Sequence, residues 1–170
     1  MLKLLLTGSF FESCEKRFKE SILINPNSHG VLHYLDYVEF IDTSGFERED
    51  IQNLIKQCVL EVLVYDLTNR SSLSKIQNEY LPLIVQLESL HGVIIAGNKY
   101  DLLDSNTQKL LVEQDRGEFE KYNEDYKIRF KYYNISCKSY VNISDLFYDA
   151  LFLIAFSTVI FKKIIQKQNS

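Results

Sequence analysis

The sequence predicts an α/β fold, with a mostly parallel sheet of about six strands flanked by about five helices. Two observations carry this expectation. Short aliphatic runs alternate with longer amphipathic ones along the 170 residues, the pattern of strand–helix–strand units. Four of the runs also end on residues suited to a ligand rather than to a core, namely Gly8, Asp42, Asn98 and Ser136. In such sheets ligands sit beyond the carboxyl ends of the strands. These four positions can therefore converge on one crevice.

The elements follow in order. Leu2 to Thr7 is an apolar run and reads as the first strand. Gly8 turns it into a helix around Ser13 to Ile22, and Asn25-Pro26-Asn27-Ser28 is a loop by its turn chemistry. Val31 to Leu35 and Tyr37 to Ile41 read as a strand pair around Asp36. Glu47 to Gln57 is charged but places Ile51, Leu54 and Ile55 on one helical face. Val59 to Tyr65 is a buried strand. Ser71 or Ser72 can cap the next helix, which carries Leu73, Ile76, Tyr80, Leu81 and Ile84 at helical spacing. Pro82 lies inside that pattern and should kink or interrupt it. Val93 to Ala96 is a strand, Thr107 to Tyr122 a polar helix, Phe130 to Ile135 the last strand, and Ile143 to about Phe161 the last helix.

Composition narrows the function classes. Apolar residues make up 46% and charged residues 25%, as in an ordinary globular protein, and the length suits one domain over residues 1–170. A net charge of −4 argues against a nucleic-acid binder, which is usually basic. Cys14, Cys58 and Cys137 form no even set and no paired metal spacing, so a reducing compartment is expected. The N-terminus lacks a signal-peptide pattern, Leu2 rules out N-myristoylation, and Gln168-Asn169-Ser170 is no prenylation box. The uncharged run closest to a membrane span extends only from Ala150 to Phe161 and contains Ser157 and Thr158, short of the ~20 residues needed.

Three short segments carry the chemistry. Asp42-Thr43-Ser44-Gly45, Asn98-Lys99-Tyr100-Asp101 and Ser136-Cys137-Lys138 each end an aliphatic or β-branched run. Taken singly, each has a plain alternative: a polar turn after a strand, with Gly45 supplying a positive φ. In their order and spacing, however, they resemble the guanine-nucleotide motifs of the Ras superfamily. The resemblance implies a small-GTPase fold of the P-loop NTPase kind. It implies that Asp101 accepts from the ring N–H and amino group of guanine, that Lys99 lies along the base, and that Asn98 braces the neighbouring loops. Ser136, Cys137 and Lys138 would close over the base. Asp42 would hold Mg²⁺ through water, and the Gly45 N–H would sense a γ-phosphate. Phe46 stands where such proteins carry their water-positioning Gln and has no group that could orient a water.

The phosphate loop is degenerate. The pattern G-x-x-x-x-G-K-[ST] is met here by Gly8-Ser9-Phe10-Phe11-Glu12-Ser13-Cys14-Glu15. Gly8 matches, but Ser13 replaces the second Gly, Cys14 the Lys, and Glu15 the hydroxyl on Mg²⁺. Cβ atoms at Phe10, Phe11 and Ser13 resist the dihedrals that wrap phosphates. The lost cation and the added carboxylates both act against a polyanion, each at a cost of roughly 4 kcal/mol for unit charges about 4 Å apart at an effective dielectric near 20. A helix N-terminus returns only about 0.3–1 kcal/mol. Glu15 as a direct Mg²⁺ ligand is the alternative.

Within the superfamily the chain is most similar to the N-terminal GTPase domain of Miro, the mitochondrial Rho GTPases. Tyr80-Leu81-Pro82-Leu83-Ile84 resembles their Trp-Leu-Pro-Leu-Ile, and Asn142-Ile143-Ser144-Asp145-Leu146-Phe147-Tyr148 resembles their Asn-Ile-Ser-Glu-Leu-Phe-Tyr. Asp42-Thr43-Ser44 resembles their Asp-Thr-Ser or Asp-Tyr-Ser. The likeness is specific from about Asp42 to Phe161 and poor from Ser9 to Leu35. Miro proteins continue into EF-hands, a second GTPase domain and a tail anchor, so this chain is expected to be a lone divergent domain or a fragment. The compartment implied is cytoplasmic, at the cytosolic face of the mitochondrial outer membrane.

The expected function is that of a pseudo-GTPase: GTP or GDP bound weakly, Mg²⁺ bound only with nucleotide, hydrolysis weak or absent, and protein effectors engaged through the switch face. Two rivals stand beside it. One is a working GTP-hydrolysing switch. The other is a membrane-peripheral assembly subunit, with Lys162, Lys163 and Lys167 following the apolar face of the last helix. His29, His33 and His91 share no metal or catalytic spacing.

Overall fold

The computed structural model describes residues 2–7, 17–24, 33–43, 48–126 and 128–154. Its elements are β1 (Leu2–Thr7), β2 (Arg17–Ile24), β3 (His33–Asp42), α1 (Arg48–Ile55), β4 (Leu60–Asp66), α2 (Arg70–Lys75), a π turn (Ile76–Tyr80), α3 (Leu81–Ile84), β5 (Gly92–Asn98), a 3₁₀ turn (Tyr100–Leu102), α4 (Ser105–Asp125) and β6 (Arg129–Asn134). A last helix, α5, occupies 143–154 of the described residues. The sheet order is β2-β3-β1-β4-β5-β6. Every neighbouring pair is parallel except β2 with β3. The mixed α/β architecture expected from the alternation of runs is therefore found.

Two layers of apolar side chains cover the central strands. On one face Leu63, Tyr65, Val93 and Ile95 pack with Leu54, Ile55, Leu73, Leu81 and Phe119. On the other Leu60, Val62, Ile94 and Ala96 pack with Leu146, Ala150, Leu153 and Ile154 of α5. β5 is buried along its whole length, as befits a central parallel strand covered on both sides.

Two expectations for the first third of the chain are corrected. Arg17–Ile24 is a strand, not the second half of a helix from Ser13 to Ile22. The short run Phe18…Ile22-Leu23-Ile24 suits either period, and pairing with β3 decides it. The strand pair around Asp36 is a single ten-residue strand. Its antiparallel partner is β2, and the register shifts so that Asp36 and Tyr37 lie opposite Ser21. Asp36 thus sits in a β-bulge within one strand, not between two strands.

The helix after β4 is also capped differently from its sequence pattern. Asn69, rather than Ser71 or Ser72, is the N-cap, its side chain accepting from the Ser71 N–H. As the pattern predicts, the α-helical ladder is interrupted just before Pro82, by the π turn at Ile76–Tyr80. The Leu81 N–H reaches back to the Ile76 carbonyl, and this wider turn makes room for the ring and for the N–H that proline lacks. Asp104 caps α4 by accepting from the N–H groups of Asn106 and Thr107.

Candidate nucleotide-binding site

The parallel strands bring Asp42, Asp66, Asn98 and Asn134 to the same end of the sheet. There the loops after β5 and β6 are tied to one another. Asn98, 2% exposed, accepts at Oδ1 from the N–H of Lys99 (2.7 Å) and of Cys137 (3.2 Å). The Tyr100 N–H donates to the Ile135 carbonyl at 3.1 Å. The Ser136 hydroxyl, fully buried, donates to Asp101 Oδ1 at 2.5 Å and accepts from the Ser139 N–H at 3.1 Å. Paired backbone bonds between Ser136 and Val141, both 3.1 Å, close the second loop.

Sequence pattern and geometry agree on this cluster: Asn98, Asp101, Ser136 and Cys137 are brought together. Lys99 adopts φ 67 and its Nζ pairs with Asp66 Oδ2 at 2.6 Å. Lys138 is exposed. Partial burial raises the Cys137 thiol, opposed by its hydrogen bond with Asn98; Cys58 and Cys137 are both free thiols. Asp42 lies at the end of β3, 7% exposed. Gly8, Ser13, Cys14, Glu15, Gly45 and Phe46 lie outside the described residues.

Asp66 is a site residue the sequence reading passed over. It accepts from Lys99 and from both the N–H and the hydroxyl of Thr68. Partial burial alone would raise its carboxyl, but these bonds outweigh the burial and hold it below the ordinary range. The signal was present: a carboxylate directly after a buried strand, with a Thr two positions on, is an Asx turn at a ligand-bearing strand end.

Among the described residues the arrangement offers acceptors and donors and no nucleophile–base pair. Asp101 presents a carboxylate anchored on one oxygen. Asn98 Nδ2 is a buried donor with no hydrogen-bond partner among the described residues. Such a set can recognise an edge of donors and acceptors.

A family model described as Ras, the Ras family, matches residues 31–155, well over half of the chain. The match takes in Asp42, the Asn98–Asp101 segment and the Ser136–Lys138 segment, and it begins after Glu15. Ras-family proteins typically bind GTP or GDP with Mg²⁺ and engage effector proteins. Motif order, sheet topology and this match agree, and the chain belongs to the Ras family of small GTPases.

Proposed function

We propose that this protein is a Miro-like pseudo-GTPase, a single domain that keeps a guanine site, has lost tight triphosphate binding and hydrolysis, and acts on protein effectors through its switch face. One observation carries the reading. β1 ends and β2 begins at the same end of the sheet, because β2 runs antiparallel to β3 and β3 parallel to β1. They are two strand spacings apart, roughly 10 Å, and only positions 8 to 16 join them. A phosphate loop followed by a crossover helix of about ten residues and a return segment needs roughly two to three times that length. Cys14 and Glu15 point the same way.

The base half fits guanine. Asp101 supplies the carboxylate that the ring N–H and amino group require, and the buried Asn98 Nδ2 supplies an unspent donor. The phosphate half does not fit, since the loop offers Cys14 and Glu15 where a cation and a hydroxyl are needed. No hydrolytic step is therefore assigned, and Asp42 is left as the one residue of the usual Mg²⁺ set. Without a γ-phosphate to order it, the switch face holds one state, which suits a constitutive interaction module.

Calorimetric titration with GDP and GTP, with and without Mg²⁺, tests this. The expected result is weak binding, similar for the two nucleotides and indifferent to Mg²⁺. Micromolar or tighter GTP binding that requires Mg²⁺ would defeat the reading. That outcome would favour the second one, a working switch, for which the preformed base loops are the supporting observation.

A further inference from the structure

Among the described residues β6 is the last strand of the sheet and has a neighbour on one side only. The Ile135 N–H donates to Gly97 in β5 at 2.7 Å. Strand alternation therefore turns the backbone groups of Phe130, Tyr132 and Asn134 outward. An outward row of this kind is a template for another strand.

Two asparagine side chains occupy that row. The Phe130 N–H donates to Asn123 Oδ1 at 2.8 Å, and Asn123 Nδ2 donates to the Phe130 carbonyl at 3.3 Å. The amide of Asn123, on α4, thus makes the pair of bonds that a residue of a neighbouring strand would make. At the other end Asn142 Nδ2 donates to the Asn134 carbonyl at 2.8 Å. Asn142 reaches it with φ 56, a conformation asparagine tolerates better than most residues. Between the two lies Tyr132, beside a cavity of about 340 Å³ lined by Arg116, Asn123, Phe130, Tyr132 and Asp149.

We infer that Asn123 and Asn142 are side-chain plugs that close the β6 edge against strand addition by a second copy of this chain. The spacing is what makes a second copy the relevant partner. Two β6 edges meeting antiparallel about a twofold axis would place Tyr132 opposite Tyr132 and Phe130 opposite the other copy's Asn134. This register is self-complementary, and both of its flanking pairs are the positions the asparagines hold. The Tyr132 backbone, for which no partner lies among the described residues, is too short a run to seed a ladder alone.

Sedimentation velocity and residue-resolved amide exchange on the full chain test this, using Asn123→Ala, Asn123→Asp and the double variant Asn123→Ala/Asn142→Gly. The glycine keeps the positive φ while removing the amide. The wild type should stay monomeric with a protected Phe130 amide. Asn123→Ala should speed Phe130 exchange by about tenfold or more. Asn123→Asp keeps the acceptor for the Phe130 N–H and loses only the donor to the Phe130 carbonyl, so it should retain more of that protection than Asn123→Ala, which separates loss of the bond from loss of the fold. The double variant should self-associate as concentration rises, with Phe130 protected again in the dimer. A wild type that dimerises through β6, a folded double variant that stays monomeric, or equal Phe130 exchange in all variants would each overturn the inference.

Discussion

Glu61 shows how much a single buried residue can set. It is the second residue of β4, 0% exposed, level with Leu5 of β1 and Val93 of β5. Neither carboxyl oxygen has a hydrogen-bond partner among the described residues, and burial pushes the group well above its ordinary value of 4.5. The folded state therefore holds a proton that the unfolded state releases. The sign follows: Glu61 is least harmful below pH 4.5, and its cost grows as pH rises from there toward the folded value. Glu61→Met, nearly volume-conserving, should stabilise the protein at neutral pH by roughly 1–3 kcal/mol. Urea melts of both proteins at acid and neutral pH check this. A gain no larger at neutral pH than below pH 4.5 would show that the carboxyl is not the source. None of this was legible in Leu60-Glu61-Val62, where a strand's alternation gives a polar residue an even chance of facing water. The placement of Asn98 and Asp101 beside Ser136 was legible because both segments follow aliphatic runs at strand ends, whereas the Asp66 contact depends on a lysine that is distant in sequence.

At the scale of elements, one carboxylate joins four. Asp115 of α4 is fully buried and accepts from Arg70, the first residue of α2, at 2.7 and 2.8 Å. It also accepts from the hydroxyls of Tyr65 in β4 and Tyr132 in β6. Burial raises both phenols well above the ordinary range, and the carboxylate beside them adds to it. Removing Asp115 takes a shared acceptor from Arg70, Tyr65 and Tyr132, but Arg70 is 39% exposed and the two hydroxyls keep each other as partners, so Asp115→Ala should cost about 1–3 kcal/mol. Arg70→Ala should cost less, because the two tyrosines still satisfy the carboxylate. Chemical denaturation ranks the pair, and the reverse order would mean that the ion pair, not the tyrosines, holds the network. The sequence showed α4 as a polar helix and gave no sign that one of its charges points inward. It placed β4, β5, β6, α4 and the start of the last helix within a few residues, because the strands are unbroken apolar runs and turn residues bound the helices. It misread Arg17–Ile24 because a run of eight residues fits either period until its neighbour is known, and it misread Asp36 because a bulge and a break between two strands use the same residue types.

For the whole molecule, the open question is whether three substitutions or the chain path removed the phosphate site. Ser13→Gly, Cys14→Lys and Glu15→Ser together restore the loop pattern and move its charge by two units toward a phosphate. If the residues alone were at fault, the triple variant should bind GTP tightly with Mg²⁺. The strand path argues otherwise. β1 and β2 meet at one end of the sheet with only positions 8 to 16 between them, less chain than a phosphate loop and a crossover helix of about ten residues need. The expected gain is electrostatic only. GTP should bind more tightly than to the wild type, by about tenfold for each favourable contact of roughly 1.4 kcal/mol, and the gain should fade as salt shortens the screening length. Guanosine, which carries no phosphate, should bind both proteins equally through Asn98 and Asp101. A triple variant that holds GTP at nanomolar strength, with a Mg²⁺ requirement and little salt dependence, would show that the path had left room for the site and that residues alone had closed it.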